Sequence, residues 1–166
     1  SQMTEMDLSN TGLSYLPDSI GMMTKLKRLH LNSCALERLP DDISKCQSLE
    51  VLDVTDNQII YVPPLIAGLK RLSQLNLGSN DLQVIPEGLG LMTSLTELDL
   101  SGNQILMGIG LIGKLSSLRK LNLTGCALTT LPRQMVHLTN LEELILRHNA
   151  ISEWPFGLLN LSQLKS

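Results

Sequence analysis

A glycine-rich stretch in the second half of the sequence has the spacing of a dinucleotide-binding turn. Residues 108 to 113 read Gly-Ile-Gly-Leu-Ile-Gly, so Gly108, Gly110 and Gly113 match the pattern G-x-G-x-x-G. In that chemistry the glycines let backbone N–H groups approach a pyrophosphate at the start of a helix, and a strand must precede the turn. A carboxylate about 20 residues further on must also bind the ribose. Whether this chemistry applies depends on the elements that would hold the glycines.

Those elements belong to a repeat of 23 residues that organises the whole chain. Seven complete repeats begin at residues 3, 26, 49, 72, 95, 118 and 141, and an eighth begins at residue 164. Apolar residues or cysteine recur at repeat positions 1, 4, 6, 11, 14, 18 and 21, with Gly108 as the exception. A fixed period of this length is typical of a solenoid. Gly113 takes position 19, as Gly21 and Gly90 do, so we interpret the glycine stretch as an irregular repeat and not as a nucleotide site.

Three further columns of the repeat predict its local structure. Positions 4 to 6 alternate apolar, polar and apolar residues, which is the period of a β-strand. Asn57, Asn80, Asn103 and Asn149 take position 9, where an inward amide can satisfy backbone groups of neighbouring coils. Proline takes position 15 in six of the seven repeats, which favours a short helix or 3₁₀ turn directly after it.

The stretches LSQLNLGSNDLQVIP and LEVLDVTDNQIIYVP carry the pattern L-x-x-L-x-L-x-x-N-x-L. This pattern resembles the leucine-rich repeat family over essentially the whole chain. The variants LPDSIG, LPDDIS and IPEGLG are similar to the class found in intracellular Ras-suppressor-like and Scribble-like scaffold proteins, and also in some bacterial and plant proteins. The resemblance implies an α/β fold, a right-handed solenoid or horseshoe with a parallel β-sheet on its concave face and short helices or 3₁₀ turns on its convex face. It also implies a non-catalytic scaffold that binds a protein on the concave face, with a small GTPase or a signalling complex among the candidate partners.

The cysteines and histidines are too far apart for a shared site. Cys34 and Cys126 both take position 9, and four strand spacings of ~4.8 Å separate them by about 19 Å, beyond the ~7 Å limit between the Cα atoms of a disulfide. His30 and His148 lie five repeats apart, too distant to share a metal ion or a nucleophile. We therefore expect free thiols, a reducing and cytoplasmic location, and neither a metal nor a cofactor nor catalysis.

The candidate binding residues are those that the core does not determine. Positions 2, 3, 5, 7 and 8 are expected to project from the concave face into solvent. The predicted partner-binding residues on this face are Lys27, Arg28, His30, Glu50, Val51, Asp53, Asp56, Gln74, Asn76, Glu97, Asp99, Arg119, Lys120, Asn122, Glu143, Ile145, Arg147 and His148. Six strand spacings of ~4.8 Å and about eight residues of ~3.3 Å give a face of about 750 Å², close to the ~800 Å² per partner of a standard protein interface.

Charge on this face is banded by repeat. Basic residues of repeats 2 and 6 flank the carboxylates of repeats 3 to 5, so we expect an acidic centre between two basic bands. Such a face favours a protein partner with a basic patch and acidic flanks. Reversing Asp53, Glu97 and Asp99 to lysine is expected to weaken binding and to leave the melting temperature nearly unchanged.

Composition excludes other classes of partner. The net charge is −3, so no basic field attracts a phosphate backbone, and we expect no nucleic acid partner. The longest apolar run covers residues 105 to 112, far short of the roughly 20 residues of a membrane span. Two alternatives stay open: the recognition portion of a larger enzyme such as a ligase, phosphatase or kinase, and a secreted bacterial or host-recognition receptor.

Residues 1–166 are expected to form a single leucine-rich repeat domain that is a segment of a longer array. Solenoids need polar terminal caps, yet Met3 and Met6 begin the stack, and Phe156 takes a position that is polar in most repeats. The irregular segment 107–111, which contains Met107 and Leu111, is expected either to repack locally or to form an interface. The open ends and this segment are therefore the two candidate surfaces for self-association.

Overall fold

The strands of the repeat form one parallel sheet. The computed structural model describes residues 2–153, 158–159 and 161–165. Within these residues the sheet contains seven strands in the order of the sequence, β1 Glu5–Asp7, β2 Arg28–His30, β3 Val51–Asp53, β4 Gln74–Asn76, β5 Glu97–Asp99, β6 Lys120–Asn122 and β7 Glu143–Ile145. Paired residues of neighbouring strands are 23 positions apart throughout, as in Leu52 with Leu75. The register of the sheet therefore follows the period of the sequence without a shift.

A short 3₁₀ helix follows each of the first six strands. The described helices are Asp18–Met22, Asp41–Lys45, Pro64–Gly68, Leu89–Leu91, Ile109–Lys114 and Arg133–His137. Four of them begin directly after a proline in extended backbone, namely Pro17, Pro40, Pro63 and Pro132. Proline fixes φ and lacks an N–H, which suits the residue before the first turn. The prediction of a helical turn after position 15 is confirmed at these prolines, whereas Pro155 and Phe156 lie outside the described residues.

The apolar columns form one continuous core between the sheet and the 3₁₀ helices. The central residue of each strand from β2 to β6 is buried, while its two neighbours are accessible to solvent. Leu29, Leu52 and Leu75 are fully buried members of this column. This arrangement confirms the predicted horseshoe, with a parallel sheet on the concave face and 3₁₀ turns on the convex face.

The predicted asparagine ladder is confirmed. Asn80 Nδ2 donates to the carbonyl oxygens of Val54 and Leu77, both at 3.0 Å, and Asn80 Oδ1 accepts from the N–H of Ile59 at 2.9 Å. Asn57, Asn103 and Asn149 make the equivalent hydrogen bonds to backbone groups of their own coil and of the preceding coil. Each amide thus joins the strand end of its own coil to the preceding coil. Cys126 replaces this set with Sγ contacts to the carbonyl oxygens of Leu100 at 3.2 Å and Thr124 at 3.8 Å.

The irregular fifth repeat is explained by close packing. Gly108 has φ of 83°, and a Cβ atom there would overlap the carbonyl oxygen of Ile85 in the preceding coil. The backbone of Gly108 therefore approaches the backbone of the preceding coil too closely for any side chain. Ile109 and Leu111 pack partly buried against the core, while Met107 stays exposed. Because Gly108 precedes a six-residue 3₁₀ helix and no three-residue strand leads into it, the interpretation as an irregular repeat agrees with the structure.

Candidate functional site

The eighteen predicted partner-binding residues lie on strands β2 to β7 or in the segments beside them, and none of them is buried. Residues at positions 3 and 5 flank the centre of each strand, which is buried from β2 to β6, so their side chains stand in two columns on the concave face. Glu97 and Asp99 show the arrangement in β5, on either side of the buried Leu98. The structure therefore collects the predicted residues on one accessible surface.

The carboxylates at position 5 also hold the turn that follows each strand. Asp53 Oδ1 accepts from the N–H of Thr55 at 3.0 Å, and Asp99 Oδ1 accepts from the N–H of Ser101 at 2.8 Å. Asn122 makes the same contact to Thr124 at 3.1 Å. Sequence reasoning missed this role, although five of the seven position-5 residues are Asp or Asn.

This hydrogen bond changes the expected melting temperature of the lysine variant. Lysine has no acceptor, so reversing Asp53 and Asp99 removes two backbone hydrogen bonds as well as two charges. We now expect the melting temperature of the lysine variant to fall. Asparagine keeps the acceptor, as Asn122 shows, so it removes the charge without removing the hydrogen bond.

At Asp7, which takes the same repeat position, hydrogen bonds from the side chain and backbone of Ser9 lower the pKa of the carboxyl group.

Ion pairs connect the predicted basic bands to the acidic centre. Lys27 Nζ lies 3.2 Å from Glu50 Oε1, and Lys120 Nζ lies 3.6 Å from Glu97 Oε1. These ion pairs cross from one coil to the next, because residues at the same repeat position are neighbours in a parallel register. They are largely exposed and add little stability. The basic bands are thereby joined to the acidic centre.

A second set of ion pairs lies along position 2 at the other end of the face. Glu142 contacts Arg119 Nη1 at 3.1 Å and Lys165 Nζ at 2.9 Å. The hydrogen bond and the charge of Lys165 lower the pKa of the Glu142 carboxyl group. Arg119, one of the predicted binding residues, is therefore already engaged within the protein.

A shallow depression of about 170 Å³ lies between the two columns. Seven of the predicted residues line it together with Leu98 and Leu121, namely Asn76, Glu97, Asp99, Lys120, Asn122, Glu143 and Ile145. Asn122 Nδ2 donates to Asp99 Oδ2 at 3.0 Å and so fixes the carboxylate within the depression. Pockets for small molecules usually measure about 300–1,000 Å³. The depression is smaller than this range.

The residue at position 8 adopts a left-handed backbone in every repeat. The seven residues are Asn10, Ser33, Asp56, Ser79, Gly102, Gly125 and His148. This conformation favours glycine and small polar residues. Two predicted binding residues, Asp56 with φ of 57° and His148 with φ of 56°, therefore also occupy constrained turn positions.

The three cysteines are free thiols in different environments. Burial raises the pKa of Cys126 to about 11 and also raises the pKa of Cys46. At Cys34 partial burial opposes ionisation, but hydrogen bonds from Thr11 and nearby backbone N–H groups lower the pKa of the thiol below its usual value.

Across the described residues, no three His, Cys, Asp or Glu side chains converge as metal ligands. The described 3₁₀ helices are too short to cross a bilayer, and none of them is a candidate span.

Comparisons with known proteins agree with this geometry. A family profile described as leucine-rich repeat region matches residues 2–109, a two-copy leucine-rich repeat profile matches residues 93–133, and a single-repeat profile matches residues 137–152. No curated protein matches this chain.

Two solved structures share the fold. A leucine-rich repeat protein of Leptospira interrogans is 29% identical with a TM-score of 0.72, over 95% of this chain and 46% of that one. The plant peptide hormone receptor RGFR1, solved in complex with RGF2, is 24% identical with a TM-score of 0.71, over 98% of this chain and 31% of that one. This chain thus spans less than half the length of either structure. Since the first profile covers more than half of these 166 residues, the chain belongs to the leucine-rich repeat family, whose domains generally mediate protein–protein interaction.

Proposed function

We propose that this chain is a non-catalytic scaffold that binds a partner protein on its concave face as part of a signalling assembly. The observation that carries the proposal is the concave sheet itself. Eighteen predicted residues are accessible there, while the strand centres between them are buried from β2 to β6. A surface of polar side chains on a rigid sheet suits recognition of another macromolecule.

The charge of the face supports a partner with a basic patch. Asp53 and Asp99 make no ion pair with any described residue, so their charge is available to a partner. A basic side chain seated in the depression would meet Asp99 and Glu143. Charges of this kind steer association and set register more than they add affinity. The resemblance of the variants LPDSIG, LPDDIS and IPEGLG to those of Ras-suppressor-like and Scribble-like scaffolds supports a small GTPase or a signalling complex as the proposed partner class.

Two further features belong to the same proposal. Free thiols at Cys34, Cys46 and Cys126 support a cytoplasmic location, because reducing compartments keep cysteines unpaired. The first coil surrounds an apolar hollow of about 340 Å³ that Leu13 and Leu16 help to line. A further coil of the same array would cover this hollow, so we propose that the 166 residues form one domain within a longer array.

Differential capture tests the proposal. The concave variant combines Asp53→Asn, Glu97→Gln and Asp99→Asn, which removes three charges and keeps similar shapes. The convex control combines three substitutions of exposed residues elsewhere, Asp18→Asn, Asp41→Asn and Glu87→Gln, with the same change in net charge. Proteins captured by the wild type and by the convex control, but lost with the concave variant, are the expected result. Capture that is equal for all three forms would contradict binding through the concave charges.

A further inference from the structure

A strip of exposed apolar side chains crosses three consecutive coils outside the core pattern of the repeat. Positions 12 and 13 of repeats 3 to 5 contain Ile60, Tyr61, Val84, Leu106 and Met107, whose exposed fractions range from 45% to 66%. Gln83 completes the six residues, which we call the lateral strip. These positions lie away from the concave strands. The strip is therefore a surface separate from the proposed partner-binding face.

Backbone hydrogen bonds unite the strip into one surface. The N–H groups of Leu106 and Met107 donate to the carbonyl oxygen of Gln83 at 2.8 and 3.1 Å, and Val84 pairs with Met107 in an isolated parallel bridge. Beside the strip, repeats 3 and 4 are joined by the bond from Asp81 N–H to Ile59 carbonyl oxygen at 3.1 Å. Because this backbone is engaged between coils, the strip offers side chains and not a free strand edge.

The composition of the strip is that of a protein interface. It contains no charged residue, and positions 12 and 13 of repeat 6 continue it with Thr129 and Thr130. Interface cores are depleted of charge and enriched in Tyr and Met. The five apolar side chains expose about 500 Å² together, if a large side chain exposes about 150–200 Å² when free. Apolar patches of several hundred Å² on a monomer usually mark contact sites.

We propose that a second copy of this chain covers the lateral strip, in a two-fold dimer whose axis passes beside Val84. The strip is symmetric about repeat 4, with two large apolar residues on each side of Val84. A two-fold axis at that point sets Ile60 and Tyr61 of one copy against Leu106 and Met107 of the other. The same contact then occurs twice, as a closed isologous interface requires.

The charges beside the strip fit the same arrangement. Glu37 and Arg38 take positions 12 and 13 of repeat 2, and the two-fold axis sets them against Thr129 and Thr130 of the second copy. The charged pairs of the two copies are then separated by four strand spacings, about 19 Å, which exceeds the ~8 Å Debye length at physiological salt. Glu37 and Arg38 of one copy therefore do not meet the same residues of the other.

The size of the strip predicts a weak dimer. About 500 Å² from each copy gives a total near 1,000 Å², at the lower limit of specific interfaces. We therefore expect a dissociation constant in the micromolar range. Because the lateral strip lies apart from the concave face, the test of the dimer and the test of partner binding can succeed or fail independently.

Sedimentation equilibrium from low micromolar to several hundred micromolar protein tests the dimer. The wild type is expected to pass from monomer to dimer, and Val84→Glu is expected to weaken association at least tenfold, since it sets two like charges together on the axis. Leu65→Glu, at an exposed position of the convex 3₁₀ helix, is the matched control and should dimerise as the wild type does. A wild type that stays monomeric throughout, or a dimer that Val84→Glu leaves intact, would overturn the proposal.

Cross-linking tests the position of the axis. In a Cys34→Ser background, in which Cys46 and Cys126 stay buried, a mixture of Ile60→Cys and Leu106→Cys chains should form a disulfide-linked heterodimer under mild oxidation. Ile60→Cys alone should not link to itself. Self-linking of Ile60→Cys, or no linking in the mixture at a concentration where the protein is dimeric, would contradict the arrangement.

Discussion

Asn103 Nδ2 donates a hydrogen bond to the carbonyl oxygen of Leu77, 26 residues earlier in the chain, at 2.9 Å. The same nitrogen donates to Leu100 at 2.8 Å, and Asn103 Oδ1 accepts from the N–H of Leu82 at 3.0 Å. The side chain of Asn103 is fully buried. Asn103 Nδ2 also donates to the carbonyl oxygen of Ser101 at 3.3 Å, so one amide contacts four backbone groups in two coils.

Replacing this amide should destabilise the stack. Asn103→Ala leaves the buried N–H of Leu82 without its acceptor, whereas the carbonyl oxygens of Leu77 and Leu100 keep donors from Asn80 and Cys126. We therefore expect the free energy of unfolding to fall by about 1–3 kcal/mol. Asn103→Cys should cost less, because a thiol keeps one donor, as Cys126 does. Urea denaturation measures both, with the exposed Gln104→Ala as control. A loss below about 0.5 kcal/mol for Asn103→Ala, the size of a surface effect, would refute the ladder's contribution.

Gly108→Ala should also be destabilising. The new Cβ would overlap the carbonyl oxygen of Ile85, and the φ of 83° is strained for any residue but glycine. Strain and overpacking together cost about 2–4 kcal/mol, and thermal unfolding should show a clearly lower melting temperature.

Two other glycines separate the causes of this loss. Gly12 has φ of 69° with nothing within 4 Å of a new Cβ, so Gly12→Ala tests the backbone conformation alone. Gly110→Ala would meet only the flexible side chain of Gln134, at 3.2 Å. Both are expected to cost less than Gly108→Ala. Equal losses at all three positions would show that contact with Ile85 is not the reason for glycine at 108.

The repeat predicted most of the fold because its columns are constrained by the core. A residue such as Leu75 is apolar because it is buried, and the period of 23 becomes the strand register directly. The close approach of Gly108 to Ile85 could not be predicted, because the sequence shows a missing side chain but not the distance between the two coils. Apolar residues outside the core columns, such as Ile60 and Leu106, were visible in the sequence, but only coil stacking shows that they are neighbours.

The turn contact of Asp53 predicts a difference between two substitutions. Asp53→Ala removes the acceptor for Thr55 N–H and should lower the free energy of unfolding by about 0.5–1.5 kcal/mol. Asp53→Asn keeps an acceptor oxygen and should stay close to the wild type. Chemical denaturation of both variants distinguishes a role of the carboxylate oxygen from a role of its charge. If Asp53→Asn lost as much stability as Asp53→Ala, the hydrogen bond would not be the cause.

The thiols are expected to differ in reactivity. Cys34 is partly exposed with a lowered pKa, whereas Cys46 and Cys126 are buried with raised pKa values. Iodoacetamide at pH 8 should therefore modify Cys34 alone in the folded protein and all three cysteines in urea. Peptide mass spectrometry identifies which cysteines are modified. Rapid labelling of Cys126 in the native state would contradict its burial.

The buried thiol of Cys126 also predicts a pH dependence. Its pKa is about 11 in the folded protein, against a usual value of 9.0. Between these values the unfolded state binds fewer protons than the folded state, so the free energy of unfolding falls as the pH rises from about 9 to about 11. The full difference amounts to about 2–3 kcal/mol. Cys126→Val should show a smaller fall over this range, and an identical pH profile for both proteins would count against the shift.

The ion pairs and turn contacts of the concave face could not be predicted from the sequence. The columns identified Lys27 and Glu50 as surface residues, but their ion pair at 3.2 Å depends on side-chain conformation. The turn role of Asp99 was equally hidden, since a surface carboxylate and a turn acceptor have the same residue type. The stacked geometry therefore adds what the repeat pattern does not contain, namely which charges are already engaged.

Titration calorimetry with a captured partner is the most direct test of the concave face as a binding surface. The wild type, the concave variant and the convex control are compared at low and at moderate salt. We predict a dissociation constant at least tenfold higher for the concave variant, a weaker salt dependence of its binding, and values for the convex control close to the wild type. Equal dissociation constants for all three proteins would contradict the account.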